Sequence, residues 1–217
     1  MSLPLDGIVK AVDEAKRLAK PRRFTQSVEL IAKLKDIDLK RPENRFNLSV
    51  RLPHMPPEKL SRVCVIASGG LAVRAREAGA DMVLLREDID ALASDKRRVR
   101  KIVRGYDFFL ASVDLMAHIG RALGRFLGPR GKMPQPVPPT ADIAPLINHF
   151  KHCVRVRVRD QPLIMCRVGL ENQPSKDLAE NIGAIFTALE GRISVPQNIE
   201  RVYVKLTMGP AVRIKTR

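Results

Sequence analysis

Apolar and polar residues alternate with a changing period along the chain, and each period predicts a kind of element. Over residues 5–19 apolar side chains recur at helical spacing, and Pro21 ends the pattern. Two stretches of period-two alternation follow, which predict half-buried strands. Their inward-facing positions are Val28, Leu30, Ala32 and Leu34 in the first strand and Leu48, Val50 and Leu52 in the second.

The middle of the chain has a different pattern. Helix-like segments, including a basic helix over 89–104, separate short apolar runs that have no polar face, at 63–67, 82–85 and 108–111. Buried strands of a parallel sheet are apolar throughout because helices cover both faces of the sheet. The pattern therefore predicts a parallel α/β region in the middle of the chain.

Period-two alternation returns after Cys153. A helix is predicted after Pro174, and strands are predicted at 154–158, 163–168, 202–206 and 212–214. Half-buried strands at both ends therefore flank the parallel middle. The predicted fold class is α/β and α+β. It comprises a split two-layer α+β domain, residues 1–62 plus 153–217, and an inserted Rossmann-like parallel α/β domain, residues 63–152.

Net charge is the outlying feature of the composition. Lys and Arg number 39 against 23 Asp and Glu, which gives a formal net charge of +16 and a pI near 10.4. Such a surplus favours a polyanionic partner, most commonly nucleic acid. A membrane partner is not expected, because no apolar run approaches the roughly 20 residues that span a bilayer. The first residues lack the basic start and apolar run of a secretory signal, which favours a cytoplasmic protein.

Cofactor and metal chemistry find little support in the sequence. Cys64, Cys153 and Cys166 are too scattered for a disulfide framework or a CxxC zinc site, and we interpret them as small buried residues. His149 and His152 beside Cys153 lack a further nearby ligand, so we expect no metal and no cofactor. The scarcity of aromatic residues argues against stacking on single-stranded bases and favours recognition of a folded RNA backbone.

The stretch 120–134 combines glycines and cations but does not match a nucleotide site. A phosphate loop would need a glycine where Phe126 stands and a serine or threonine where Met133 stands. Gly69-Gly70, after the first apolar run, also lacks the spacing of a dinucleotide-binding turn. We interpret 120–134 as a rigid basic loop that touches an RNA backbone through Arg125, Gly128, Arg130, Gly131 and Lys132.

Four motifs resemble the ribosomal protein L1 family, whose members belong to the mobile side stalk of the large ribosomal subunit. The motif LGPRGKMP at 127–134 resembles the family signature, and FTQSVE at 24–29 resembles its first-strand motif. A turn at 77–81 and the sequence TMGP at 207–210 also match, in family order and over nearly the whole chain. Lys132-Met133-Pro134 is more similar to archaeal members than to bacterial ones.

This resemblance implies a non-enzymatic, structural protein that is a monomer off the ribosome. The implied partners are the rRNA of the side stalk, the exit-site tRNA whose release such proteins assist, and the protein's own mRNA, whose translation they repress. The resemblance also implies a main rRNA contact in the split domain. Carried over position by position, its residues are Phe24, Ser27, Glu29, Thr207, Met208 and Gly209.

The chemistry of these residues agrees with the implied role. With the even-numbered apolar residues of the first strand facing the core, the outward positions on the two strands are Ser27, Glu29, Lys33, Lys205 and Thr207. Hydroxyl groups can exchange hydrogen bonds with ribose 2′-hydroxyls, and Glu29 would accept one from the RNA and so serve specificity. Gly209 would let an RNA backbone approach closely. A solvated strand face with an ordinary turn is the alternative.

Two other functions and two basic clusters stay open. The inserted domain could bind a nucleotide or a methyl donor as an enzyme, or the chain could be a general chaperone of nucleic acid. Basic residues crowd the helix predicted at 89–104, where a solvated face and RNA contact are the alternatives. Arg155, Arg157 and Arg159 form a cationic ladder that requires phosphate or carboxylate neighbours.

Overall fold

The computed structural model describes residues 4–215, which divide into two compact units. The split unit comprises the chain up to Lys59 and from Cys153 onward, and the inserted unit is Leu60–His152. The helices, in chain order, are α1 Leu5–Leu18, α2 Gly69–Glu77, α3 Arg86–Ser94, α4 Lys96–Gly105, α5 Met116–Leu127, α6 Ile143–Lys151, α7 Ser175–Glu190 and α8 Val195–Asn198. The strands are β1 Ser27–Leu34, β2 Phe46–Arg51, β3 Val63–Ile66, β4 Met82–Leu84, β5 Phe108–Ser112, β6 Gln135–Val137, β7 Cys153–Val158, β8 Leu163–Leu170, β9 Ile199–Leu206 and β10 Val212–Ile214.

The split unit is built on an antiparallel four-stranded sheet. Its strand order is β10-β9-β1-β8, while β2 and β7 form a separate antiparallel pair. Helices α1 and α7 pack against each other and against one face of the sheet. The residues that the alternation predicts to face inward are buried on β1 and β9, with Val28, Leu30 and Val204 fully inaccessible. The half-buried strands predicted from the alternation are therefore confirmed.

The inserted unit contains a parallel sheet with strand order β4-β3-β5-β6. β3 and β5 are buried along their whole length, as their unbroken apolar runs predict. An antiparallel sheet and a parallel sheet in one chain confirm the predicted mixture of α+β and α/β architecture. Helices α3, α4 and α5 contribute Ile89, Val99 and Ile119 to one hydrophobic core on this sheet.

The single basic helix predicted at 89–104 is wrong, because this segment is divided between α3 and α4. Asp95 separates the two helices with a backbone φ of −102° and ψ of 88°, and its side chain accepts hydrogen bonds from the backbone N–H groups of Arg97 and Arg98. An aspartate that bonds these N–H groups caps the start of a new helix rather than continuing the old one. Hydrophobic spacing alone does not show this break.

The three cysteines are buried, as the sequence predicts. All three are free thiols, and burial raises the pKa of Cys64 and of Cys166 to about 12 and that of Cys153 to about 11. Within residues 4–215, no cluster of three or more His, Cys, Asp or Glu side chains could hold a metal ion. In the same part of the chain, none of the helices is both long enough and apolar enough to cross a membrane.

Candidate RNA-binding surface

One face of the four-stranded sheet carries side chains that α1 and α7 do not cover, and we call it the open face. The strand register places Glu29 of β1 opposite Lys205 of β9 and opposite Arg167 of β8. Directly opposed residues on adjacent strands project from the same face of a sheet. The same register aligns the other members of the open face, which are Ile31, Lys33, Leu163, Met165, Arg201, Tyr203 and Arg213.

The turn that follows β9 is attached to the start of β1. The backbone N–H of Thr207 donates to the carbonyl oxygen of Ser27 over 3.0 Å, and the N–H of Gly209 donates to Leu206 O over 2.9 Å. The Thr207 hydroxyl also lies within hydrogen-bonding distance of Ser27 O, at 3.2 Å. The structure therefore brings together two motifs that lie at opposite ends of the sequence. We call residues 207–210 the TMGP turn.

Glu29 lies beside this turn and has cations on both sides. Its carboxylate Oε1 is 3.2 Å from Thr207 Oγ1, and Lys205 and Arg167 are its partners across the two neighbouring strands. The Thr207 hydroxyl has one proton, which it can donate either to Glu29 or to Ser27 O. Toward an RNA, Thr207 is therefore mainly an acceptor. A carboxylate has about four acceptor positions, so Glu29 retains capacity for a further donor.

The prediction that Ser27 points outward is wrong. Ser27 is only 9% exposed, and its hydroxyl oxygen accepts a hydrogen bond from Lys59 Nζ over 3.1 Å. Its backbone carbonyl supports Thr207, and the β1–β8 register shifts at Val28/Glu29. Contact with the turn and with Lys59 covers Ser27, so strand parity misassigns it. Ser27 supports the surface rather than presenting its hydroxyl to an RNA.

The remaining predicted residues of this site occupy two different places. Phe24 and Met208 present large apolar side chains that are 53% and 55% exposed, near the junction of β1 with the TMGP turn. Lys205 is half-buried on the open face. Lys33 lies toward the other end of β1, about 20 Å from Ser27 at the rise of an extended strand. Its ammonium group pairs with Glu200 Oε2 over 2.9 Å, so Lys33 is outside the cluster around Thr207.

Gly209 has a structural role that differs from the predicted one. A Cβ atom at this position would lie 3.2 Å from Ala19 Cβ and 3.3 Å from Leu206 Cβ, which is closer than side chains normally pack. Glycine therefore lets the TMGP turn pack against Ala19, the residue that follows α1. This contact alone accounts for a glycine at 209, without any approach of an RNA backbone.

Gln26 is a site residue that the sequence analysis misses. Its side chain is 1% exposed, and its Oε1 accepts a hydrogen bond from the backbone N–H of Met208 over 3.1 Å. Its Nε2 donates to Lys20 O over 3.3 Å and to Glu171 Oε2 over 3.2 Å. One buried amide thus fixes the TMGP turn to the segment after α1 and to the segment after β8. Gln26 precedes the alternating strand, so hydrophobic period gives no signal for it.

The prediction that 120–134 is a loop is wrong for residues 120–127, which lie in helix α5. Arg125 belongs to helix α5, whose buried residues Ile119, Leu123 and Leu127 have helical spacing. The ammonium group of Lys132 donates to Val103 O over 2.9 Å and to Tyr106 O over 2.5 Å. Lys132 therefore satisfies carbonyl groups at the C-terminal end of α4, where a cation is favourable.

The rest of this stretch is a tight turn. Gly128 and Arg130 lie in a single 3-10 turn, and Gly131 ends it with a left-handed φ of 65°, a conformation that suits glycine.

The arginine ladder of β7 also has partners inside the protein, since Arg155 donates to Asn47 Oδ1 over 3.3 Å and Arg159 pairs with Asp160 over 3.4 Å.

Comparison with known proteins identifies the family. The model of the ribosomal protein L1p/L10e family matches residues 14–210, which include the last turn of α1, strands β1 to β9 and the TMGP turn. This chain therefore belongs to the ribosomal protein L1p/L10e family. The resemblance that the four sequence motifs carry is confirmed.

Its relatives include proteins named large ribosomal subunit protein uL1 from archaea. The chain is 51% identical to the one from Thermofilum pendens over 195 residues, which are 90% of this chain and 86% of that protein. It is 48% identical to the one from Pyrococcus horikoshii over 99% of this chain and 98% of that protein. The corresponding protein of Archaeoglobus fulgidus is 45% identical over 99% of this chain and its own full length.

Proposed function

We propose that the protein is a structural, non-enzymatic component of the large ribosomal subunit that binds rRNA of the mobile side stalk through the split unit. The observation that carries this proposal is the junction of the TMGP turn with β1. There the Thr207 hydroxyl lies beside the Glu29 carboxylate, and Glu29 is flanked by Arg167 on one neighbouring strand and Lys205 on the other. The family and the names of the archaeal relatives support the ribosomal assignment.

The surface offers three kinds of contact to a folded RNA. Arg167 and Lys205 can neutralise backbone phosphates, and an arginine can do so with two parallel hydrogen bonds. Glu29 and Thr207 can accept hydrogen bonds from ribose 2′-hydroxyls and base amines. Backbone phosphates have no such donor groups, so these contacts distinguish one RNA from another. Phe24 and Met208 can pack against sugars and base faces because both are more than half exposed. Cations supply affinity in this arrangement, and the acceptors supply specificity.

We also propose that the protein assists release of deacylated tRNA from the exit site and represses translation of its own mRNA. The net charge of +16 supports contact with more than one RNA. Repression requires the mRNA to present a fold like that of the stalk, so both RNAs would occupy the open face. In a competition assay, mRNA and stalk rRNA would then displace each other with equal completeness.

We expect stalk rRNA binding to weaken with salt but to remain specific. If six or more phosphates are neutralised, the logarithm of the affinity falls against the logarithm of salt concentration with a slope of about −4 or steeper. A titration of a stalk rRNA fragment and of bulk tRNA at graded salt measures both slopes. Equal affinity for the two RNAs at every salt concentration contradicts the proposed function and favours a general nucleic-acid chaperone.

We expect the split unit alone to retain most of its rRNA affinity. The backbone N–H of Ser61 donates to Lys151 O over 2.9 Å, so the two ends of the inserted unit lie side by side and a short linker can replace it. All residues around Thr207 lie outside the insertion. Circular dichroism first checks that the shortened chain folds. A loss greater than hundredfold, about 2.8 kcal/mol, would make the inserted unit a principal rRNA binder.

A further inference from the structure

We propose that helix α4 of the inserted unit is a second RNA-binding surface, which holds phosphates of an RNA backbone independently of base sequence. This surface is separate in the sequence from every residue of the open face. The inference depends on the proposed function only in taking RNA as the partner. The residues of α4 have no part in the rRNA contact proposed above for the split unit.

The helix is divided sharply between a buried stripe and a cationic surface. Val99 and Val103 are buried, and Ile102 is half-buried against the same core. Every other side chain of the helix before Gly105 is both exposed and positively charged. These residues are Lys96, Arg97, Arg98, Arg100, Lys101 and Arg104.

This arrangement is unfavourable for the helix in isolation. Arg97 with Lys101, and Arg100 with Arg104, are like charges four residues apart, a spacing that brings them together and destabilises a helix. Cations in the first turn also oppose the helix dipole, and α4 has no acidic residue there. A solvated face would lose nothing by carrying acidic residues at some of these positions. The charge pattern is therefore better suited to an external polyanion than to water.

Acidic neighbours do not neutralise the surface. Within residues 4–215, none of the ion pairs involves a cation of α4. On the preceding helix, the Asp88 carboxylate accepts a hydrogen bond from Leu85 N over 2.8 Å, and Asp90 Oδ1 lies 2.8 Å from His118 Nε2. Asp95 uses its carboxylate to cap the start of α4 itself.

The helix is also held firmly enough to present these charges as a rigid row. Asp95 caps its first turn, and Lys132 Nζ bonds to Val103 O and Tyr106 O at its last turn. Ten residues of α-helix span about 15 Å, so the spacing of cations is of the same order as that of charges along a nucleic-acid duplex. Four of the six are arginines, whose planar groups suit phosphate. The exposed surface has no aromatic side chain, so it offers no platform for stacking bases.

The test compares two variants of the full chain that lose the same charge. The first is Arg97→Gln, Arg100→Gln, Lys101→Gln and Arg104→Gln, which preserves helix propensity. The matched control is Lys10→Gln, Arg17→Gln, Lys176→Gln and Arg192→Gln, four exposed cations of the split unit that lie outside the open face. Both are titrated with a stalk rRNA fragment and with a folded tRNA at graded salt.

We expect the α4 variant to lose threefold to tenfold in affinity beyond the control for at least one RNA, and its salt slope to fall by about 0.7–0.9 for each lost phosphate contact. A loss confined to tRNA identifies tRNA as the source of the phosphates, a loss confined to stalk rRNA identifies rRNA, and equal losses indicate both. The melting temperature of the α4 variant should stay equal to that of the unmodified chain or rise, because the repulsion between like charges on the helix is removed.

Affinity losses and salt slopes that match those of the control for both RNAs would overturn the inference, because α4 would then be a solvated helix face. This outcome is distinct from failure of the proposed function. That failure appears in the unmodified protein as equal affinity for stalk rRNA and tRNA, whereas the α4 inference is decided by the difference between the two variants.

Discussion

Asn181→Ala lowers the free energy of unfolding by about 3 kcal/mol, because it removes the partner of three backbone groups at once. Asn181 lies on α7 and has no exposed surface. Its Nδ2 donates to His54 O over 3.0 Å and to Val168 O over 2.8 Å, and its Oδ1 accepts from the backbone N–H of His54 over 2.9 Å. The amide thus joins α7 to β8 and to the segment after β2, and buried polar groups without partners are costly.

Urea denaturation of the variant and of the unmodified chain measures this loss. Asn172→Ala is the matched control, since Asn172 is an exposed residue of the turn after β8 and its replacement should change stability by less than about 0.5 kcal/mol. A loss below about 1 kcal/mol for Asn181→Ala would mean that water replaces the amide at this position. The three hydrogen bonds of Asn181 would then contribute little to holding the split unit together.

Hydrophobic period predicts those parts of the fold in which burial follows a regular spacing. β1 and β9 alternate because one face contacts α1 and α7 and the other contacts solvent. β3 and β5 have no polar face because other parts of the inserted unit cover both faces of these strands. In each case the pattern along the sequence directly reflects the environment of successive side chains.

The rest depends on contacts between residues that are distant in the sequence, which no local pattern contains. Ser27 is buried because Lys59 and the TMGP turn cover it. Gln26 is buried beside the TMGP turn, where its side-chain oxygen accepts a hydrogen bond from the backbone N–H of Met208. Lys132 bonds to carbonyl groups at the C-terminal end of α4, a helix that ends 27 residues before it in the sequence. The family resemblance locates the two motifs of the site, but only the packing distinguishes presenting residues from supporting ones.

Glu29→Lys is the substitution that separates specific recognition from general charge attraction. Charge alone predicts tighter RNA binding, because losing a carboxylate and gaining an ammonium group raises the net charge by two units. We expect weaker binding to stalk rRNA by about 1–3 kcal/mol, since the lysine cannot accept hydrogen bonds from the RNA or from Thr207. It would also place a third cation between Lys205 and Arg167 and disturb the spacing of their contacts.

Glu14→Lys is the matched control, because Glu14 is an exposed residue of α1 and the change in net charge is the same. We expect this control to bind stalk rRNA with equal or slightly higher affinity and to melt close to the unmodified chain. Glu29→Lys should melt slightly lower, because three cations would be aligned across adjacent strands, but it should remain folded since Glu29 does not lie in the core. Titrations with the stalk fragment and with tRNA, beside circular dichroism melts, distinguish the two effects. Glu29→Lys should lose affinity for the stalk fragment and not for tRNA. If Glu29→Lys binds the stalk fragment as tightly as Glu14→Lys, then Glu29 is merely solvated, and the open face has to be abandoned as the site of specific recognition.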